Sequence, residues 1–212
     1  MSLAIEVGML AYLIQNDEEG AEFFRESLDG VNVVLAENNL PPHVEPEVLE
    51  LSRNRAWLLS YSYSYLHHLR RFAAHAVAKP NWKPRPCPPG ENPAKDPVVD
   101  DESSMFRSHL LCHSDCEGFY VPIDFNDPLF ADEGQIPGGM LGSSQALMRE
   151  LVAVAPVLGI ELDGEQLSDT EADRINNVVG KEGPFGIELA VWISLFEAAR
   201  LSIQHRTAIC FV

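Results

Sequence analysis

His109, Cys112, His113 and Cys116 lie within one turn-rich run, HLLCHSDCEGFYVPIDF. Thiolates and imidazoles are the groups zinc prefers. Consecutive ligands at i, i+3, i+4 and i+7 converge only on a helix, however, and Gly118, Pro122 and the strand-like FYVPIDF speak against a helix continuing there. On a strand His109 and His113 face one side and Cys112 the other, so the run is expected to hold no metal and to bury its cysteines. Cys112 beside His113 is no nucleophile pair either, because neighbours on a strand point apart and a thiolate needs a histidine brought to it from elsewhere in the fold.

The second chemical feature is the glycine turn GGMLGSSQ, Gly138 to Gln145. It can present bare N–H groups at a helix start, with Ser143 or Ser144 as the N-cap. It lacks the Lys and Ser/Thr of a phosphate loop and the glycine spacing of a dinucleotide fingerprint. The carboxylates Asp115, Glu117, Asp124 and Asp127 do not reproduce a calcium loop and are ordinary turn residues. Polar side chains and free backbone donors nevertheless concentrate in these two segments. They predict a ligand-facing surface of His113, Asp115, Tyr120, Asp124, Gly138, Gly139, Ser143 and Ser144, with no metal and no cofactor. The rival is an enzyme with its site at His113, Asp115, Tyr120 and Asp124, with or without a metal. On the preceding helix, His67, His68, Arg70, Arg71 and His75 read as an exposed basic strip offsetting the acidic remainder.

Several elements must position these residues. Leu3, Val7, Leu10 and Ile14 recur at helical spacing, and Phe24, Leu28, Val31 and Leu35 repeat the pattern after an acidic break at Asn16 to Glu19. Pro41, Pro42 and Pro46 force an extended connection. A third helix is expected from about Arg53 to Ala78, although the alternation in SYSYSY suits a strand equally. Residues 80–104, with Pro80, Pro84, Pro86, Pro88, Pro89, Pro93 and Pro97, read as an irregular loop carrying Lys79, Lys83, Arg85 and Lys95. His109 to His113 and Phe119 to Phe125 read as a hairpin closed at Gly118. Helices follow from Ser143, from a capping box at Ser168 and Glu171, and from beyond Pro184 to about His205. TAICFV, Thr207 to Val212, reads as a third strand for the sheet. The expected fold is α+β, a helix-dominated single domain over 1–212 with a small, mainly antiparallel sheet.

Across 212 residues, 32 acidic against 15 basic side chains give a formal charge of −17. That balance repels phosphate backbones and anionic lipid, which excludes nucleic acid and membrane as partners. No apolar run reaches the length of a bilayer span, and four cysteines are too few for a disulfide scaffold, so a cytoplasmic setting is expected.

LLCHSDCEGFYVPIDF with GGMLGSSQALMREL resembles a pattern in uncharacterised bacterial proteins of this size, and the ending QHRTAICFV is similar to the close of YfbM-like proteins. Neither resemblance implies a catalytic residue. The residues predict an acidic binding protein for a protein partner or a small polar ligand, immunity-like by analogy of class.

Overall fold

A computed structural model describes residues 2–79, 81–132, 134–179 and 183–212; Pro80, the first proline of the predicted loop, lies outside them. The chain runs β1 (Ser2–Val7), α1 (Met9–Asn16), α2 (Glu18–Glu37), β2 (Ser60–Ser62), α3 (Tyr63–Ala78), α4 (Pro97–Ser103), α5 (His109–Cys112), β3 (Gly118–Val121), β4 (Leu129–Phe130), β5 (Met140–Ser143), α6 (Ser144–Val154), β6 (Leu162–Asp163), β7 (Gln166–Leu167), α7 (Asp169–Val178), α8 (Gly186–His205) and β8 (Ile209–Phe211), with short 3-10 turns at Pro93–Lys95 and Pro137–Gly139. This is the expected α+β fold.

The main sheet has the order β2-β1-β8-β3-β5-β4, and all its neighbours are antiparallel except β3 and β5. The C-terminal strand is its centre: Ile209 lies opposite both Val7 and Tyr120, and Phe211 opposite Ile5 and Gly118. Because side chains alternate across a strand, Cys210, Phe119, Val121 and Leu141 face one side, where Phe24, Leu28, Val31 and Leu35 of α2 cover them. Leu3, Ile5, Tyr120, Ile209 and Phe211 face the other, under α3, α6 and α8. The sheet is therefore sandwiched between a thin layer of α1 and α2 and a thick helical layer.

Four predicted elements come out differently, one of them the irregular loop over 80–104, which ends in a 3-10 turn and the helix α4. Leu3 to Val7 is a strand, since Leu3 and Ile5 alternate into the core, and Gly8 at φ 75° turns the chain into α1. The predicted third helix starts at Tyr63, because Ser60 to Ser62 pairs with β1 with only Tyr61 buried. The expected hairpin gives way to a helical turn at His109–Cys112, and β3 pairs with β5 instead. The cause is tertiary: Glu150 of α6 accepts from Ser108 Oγ at 2.5 Å and from the N–H groups of His109 and Leu110 at 2.6 and 3.1 Å. It satisfies donors that a short helix leaves open. In the proline-rich loop, Pro97 occupies the first turn of α4, where its missing N–H costs nothing, and Trp82 packs edge-on to Phe72 at 5.0 Å.

α8 is buried on nearly every side, and every residue from Glu188 to Ala199 is buried. A polar group there needs a partner. Ser194 donates to the Leu58 carbonyl at 2.5 Å and Trp192 to that of Leu151 at 2.8 Å. Glu197, fully buried, accepts from the Arg55 N–H at 2.9 Å, from its guanidinium at 3.0 and 2.6 Å, and from that of Arg200 at 2.9 and 2.7 Å. Arg55 also donates to the Leu167 carbonyl at 2.6 Å, stapling the extended segment before β2 to α8 and to the β6–β7 hairpin. Burial alone would raise the Glu197 pKa, but the bonds from Arg200 and Arg55 prevail and hold it below the ordinary glutamate value.

Two measurements test this packing. Glu197→Ala strands two guanidiniums and is expected to cost about 3–5 kcal/mol in denaturant unfolding. A carboxyl whose folded pKa is depressed contributes stability present above its unfolded value and lost as pH falls through the folded one. The parent should therefore lose stability below about pH 4.5 more steeply than the variant. On the sheet, a β-carbon added to Gly142 would fall 2.1 Å from the Tyr120 ring on the paired strand, so Gly142→Ala should lower stability by about 1–3 kcal/mol; an unchanged unfolding midpoint would show that the ring moves freely.

Candidate acidic interface

The residues singled out in the sequence do not form one surface. His113 is 3% exposed, stacked on Tyr120 at 4.2 Å and edge-on to Phe211 at 4.6 Å. Its burial lowers its pKa to about 4, which keeps the ring neutral. Tyr120 is buried and donates to the His109 carbonyl at 2.9 Å. Asp115 accepts from Arg70 and lies 3.0 Å from His67; burial works against ionisation, yet these two partners draw its pKa down to about 2. Asp124 is exposed and pairs with Arg149 at 2.8 Å. Ser143 caps α6 by accepting from the Ala146 N–H, and Ser144 meets Ser202 at 2.7 Å. His113 and Tyr120 thus stack on each other in the core while Asp115 and Asp124 pair with different arginines, and the four do not converge on a reachable atom.

The basic strip of α3 also turns inward. Arg70 is buried and donates to the carbonyls of Leu110 and His113, while Arg71 and His75 both meet Asp96, at 2.8 and 2.9 Å. Bonds from His75, the Val98 N–H and Arg71 outweigh burial and lower the Asp96 pKa. Among the described residues, Arg55, Arg70, Arg71, Arg149, Arg174 and Arg200 all pair with carboxylates of the fold. These cations are committed to partners within the chain.

The outer face of α2 stands in contrast. Glu18, Glu19, Glu22, Glu26, Asp29 and Glu37 are exposed, and none is in an ion pair among the described residues. The helix's single arginine, Arg25, reaches away to Glu47 at 3.0 Å. The helix forms because its inner stripe seals on the sheet and because Asp17 caps it, accepting from the Gly20 N–H. Glu18 and Glu19 in its first turn suit the positive end of the helix. Gly30 lets it lie close on the neighbouring turn, where an added β-carbon would fall 2.4 Å from the Gln135 carbonyl oxygen.

That neighbour is the predicted glycine turn. Gly138 and Gly139 have φ of 72° and 65°, and Gly138 sits so close to Glu117 that a β-carbon would fall 2.6 Å from its carbonyl oxygen. With Phe23, Glu26 and Ser27 of α2, and with Ser114 and Glu117, the turn walls a cleft of about 690 Å³. Of the residues predicted to face a ligand, Gly138 and Gly139 alone line this cleft. The acidic helix beside them was not singled out, although Glu22, Glu26 and Asp29 fall at i, i+4 and i+7, opposite its apolar stripe.

No described helix is long and apolar enough to cross a membrane. No curated protein and no solved structure matches the chain. Residues 1–211 match the model of a family described as "Putative DNA-mimic protein". This finding corrects the expected function: a small polar ligand, an immunity-like role and an enzyme at 113–124 give way to a protein-binding role. It also corrects the expected partners, because nucleic acid, excluded on charge alone, is named in the family's description as the molecule imitated. With all but its last residue inside that match, the chain belongs to this uncharacterised DNA-mimic family.

Proposed function

We propose that the chain binds a DNA-binding protein on the surface that otherwise meets DNA, with the outer face of α2 standing in for a phosphate strand. The observation that carries this is the row of carboxylates on α2, unpaired among the described residues, in a fold where Glu197, Asp115 and Asp96 each hold cations of their own. Along a helix axis Glu22, Glu26 and Asp29 are spaced about 6 and 4.5 Å apart, against about 3.4 Å per charge along one strand of a duplex. Neighbouring carboxylates lie within the Debye length of about 8 Å at physiological salt, so they act on a partner collectively. The row is rigid because Phe24, Leu28, Val31 and Leu35 anchor the helix to the sheet. Little ordering remains to be done on binding.

An acidic surface that serves solubility alone interleaves both signs of charge; α2 carries six carboxylates against one arginine, which Glu47 holds. The resemblance of residues 110–125 and 138–151 to bacterial proteins supports a bacterial cytoplasm as the setting, where DNA-binding proteins are met. We take residues 1–212 to act as one domain.

A panel of purified DNA-binding proteins, each loaded with labelled duplex, tests the reading. The chain should release duplex from at least one of them, less effectively as salt rises. The triple variant Glu22→Gln, Glu26→Gln, Asp29→Asn should compete about tenfold less well with an unchanged thermal midpoint. Failure to displace DNA from any member, or equal competition by the variant, would overturn it.

A further inference from the structure

Phe23 is 69% exposed in the middle of the carboxylate row, on the wall of the cleft that α2 forms with the glycine turn. A phosphate strand has nothing that corresponds to it. Resting on the reading above, we propose that this cleft receives an arginine side chain of the partner, its guanidinium flat on the Phe23 ring and its N–H edge donating to Glu26 and Glu117.

The charge and shape of the cleft complement a guanidinium. Glu26 and Glu117 line the cleft, and among the described residues neither has an ion-pair partner within the chain. The nearest arginine in sequence, Arg25, is held by Glu47. The walls are set: Gly30 seats α2 against Gln135, and Gly138 seats the turn against Ser114 and Glu117. A cation that enters meets two carboxylates and one aromatic face. A lysine ammonium is a compact, strongly hydrated charge and gains little from the ring. A guanidinium is planar and weakly hydrated, stacks on aromatic faces and offers paired donors to carboxylates. The ring therefore adds a choice that the carboxylates alone do not make: among proteins that bind DNA, the cleft selects those that hold a phosphate with arginine.

The test uses the full chain and two fluorescent peptides of equal length and charge, one all arginine and one all lysine, with binding read by anisotropy. The parent should prefer the arginine peptide by about fivefold. Phe23→Ala should abolish the preference and Phe23→Trp should keep or increase it. Both variants should retain the parent's circular dichroism and thermal midpoint, since the side chain is exposed. A parent without preference, or a preference that survives Phe23→Ala, overturns the arginine cleft. The triple variant of α2 separates the two readings. If it loses both peptides while Phe23→Ala changes nothing, the acidic row stands and the cleft falls; if it binds both as the parent does, the row falls and the cleft with it.

Discussion

A carboxylate with no exposed surface, on a helix enclosed by the fold, sets the terms for much of the molecule. Glu197 cannot remain charged inside α8 without donors, and Arg55 and Arg200 supply them. Arg55 comes from a stretch with no regular structure of its own. Its path is fixed by this pair, by the Leu167 carbonyl and by Asn176, which donates to the Arg55 carbonyl and accepts from the Trp57 N–H. The strand that follows, β2, begins where that tether ends. The extended segment, the small hairpin and α7 are thus organised around one buried charge. Breaking such a pair costs more than making it contributes.

The same logic recurs at Asp96, Asp115 and Glu150, and it determines where the charge of −17 is felt. Each inward carboxylate draws an arginine, a histidine or backbone N–H groups toward itself. With 15 cationic side chains for 32 acidic ones, every arginine taken inside leaves an outer carboxylate without a neighbour. The acidic character of α2 is in this sense a by-product of how the interior is neutralised as well as a property of its own letters. The interior cations rigidify the scaffold, and the scaffold presents the outer anions at fixed intervals.

The apolar stripes of α2, α6 and α8 and the capping serines Ser143 and Ser168 were legible in the amino-acid sequence, because they depend on neighbours three or four residues away. The terminal strand was legible for a similar reason, being a short run of β-formers. β1 was not, since Leu3 and Val7 fit a helical repeat as well as an alternating one until Ile5 is seen to share the buried face. Nor was α5, whose cap Ser108 is local but whose first-turn N–H groups are held by a glutamate 41 residues away from His109. The glycine turn was rightly seen as unusual, but its place beside α2 depends on how Gly30 packs. Above all, Glu22 and Glu197 carry the same letter. Whether a carboxylate faces water or two guanidiniums is decided by tertiary packing, so a sum of charges could exclude nucleic acid as a ligand and still miss its imitation.

The proline-rich loop gives the molecule a direction. Lys79, Lys83, Arg85 and Lys95 are exposed there, and Trp82 and Asp96 fasten the loop to α3, across the sheet from α2. Exposed Glu91, Asp100 and Asp101 offset those cations and leave this face close to neutral, whereas α2 is strongly acidic. The negative charge is thus concentrated on one face and makes an electric dipole superimposed on the net charge. In the field of a cationic surface such a body experiences a torque as well as a pull. It turns α2 forward and the loop away before the two surfaces touch. Fewer collisions are then wasted on the wrong face, and the loop hastens the encounter without taking part in the contact.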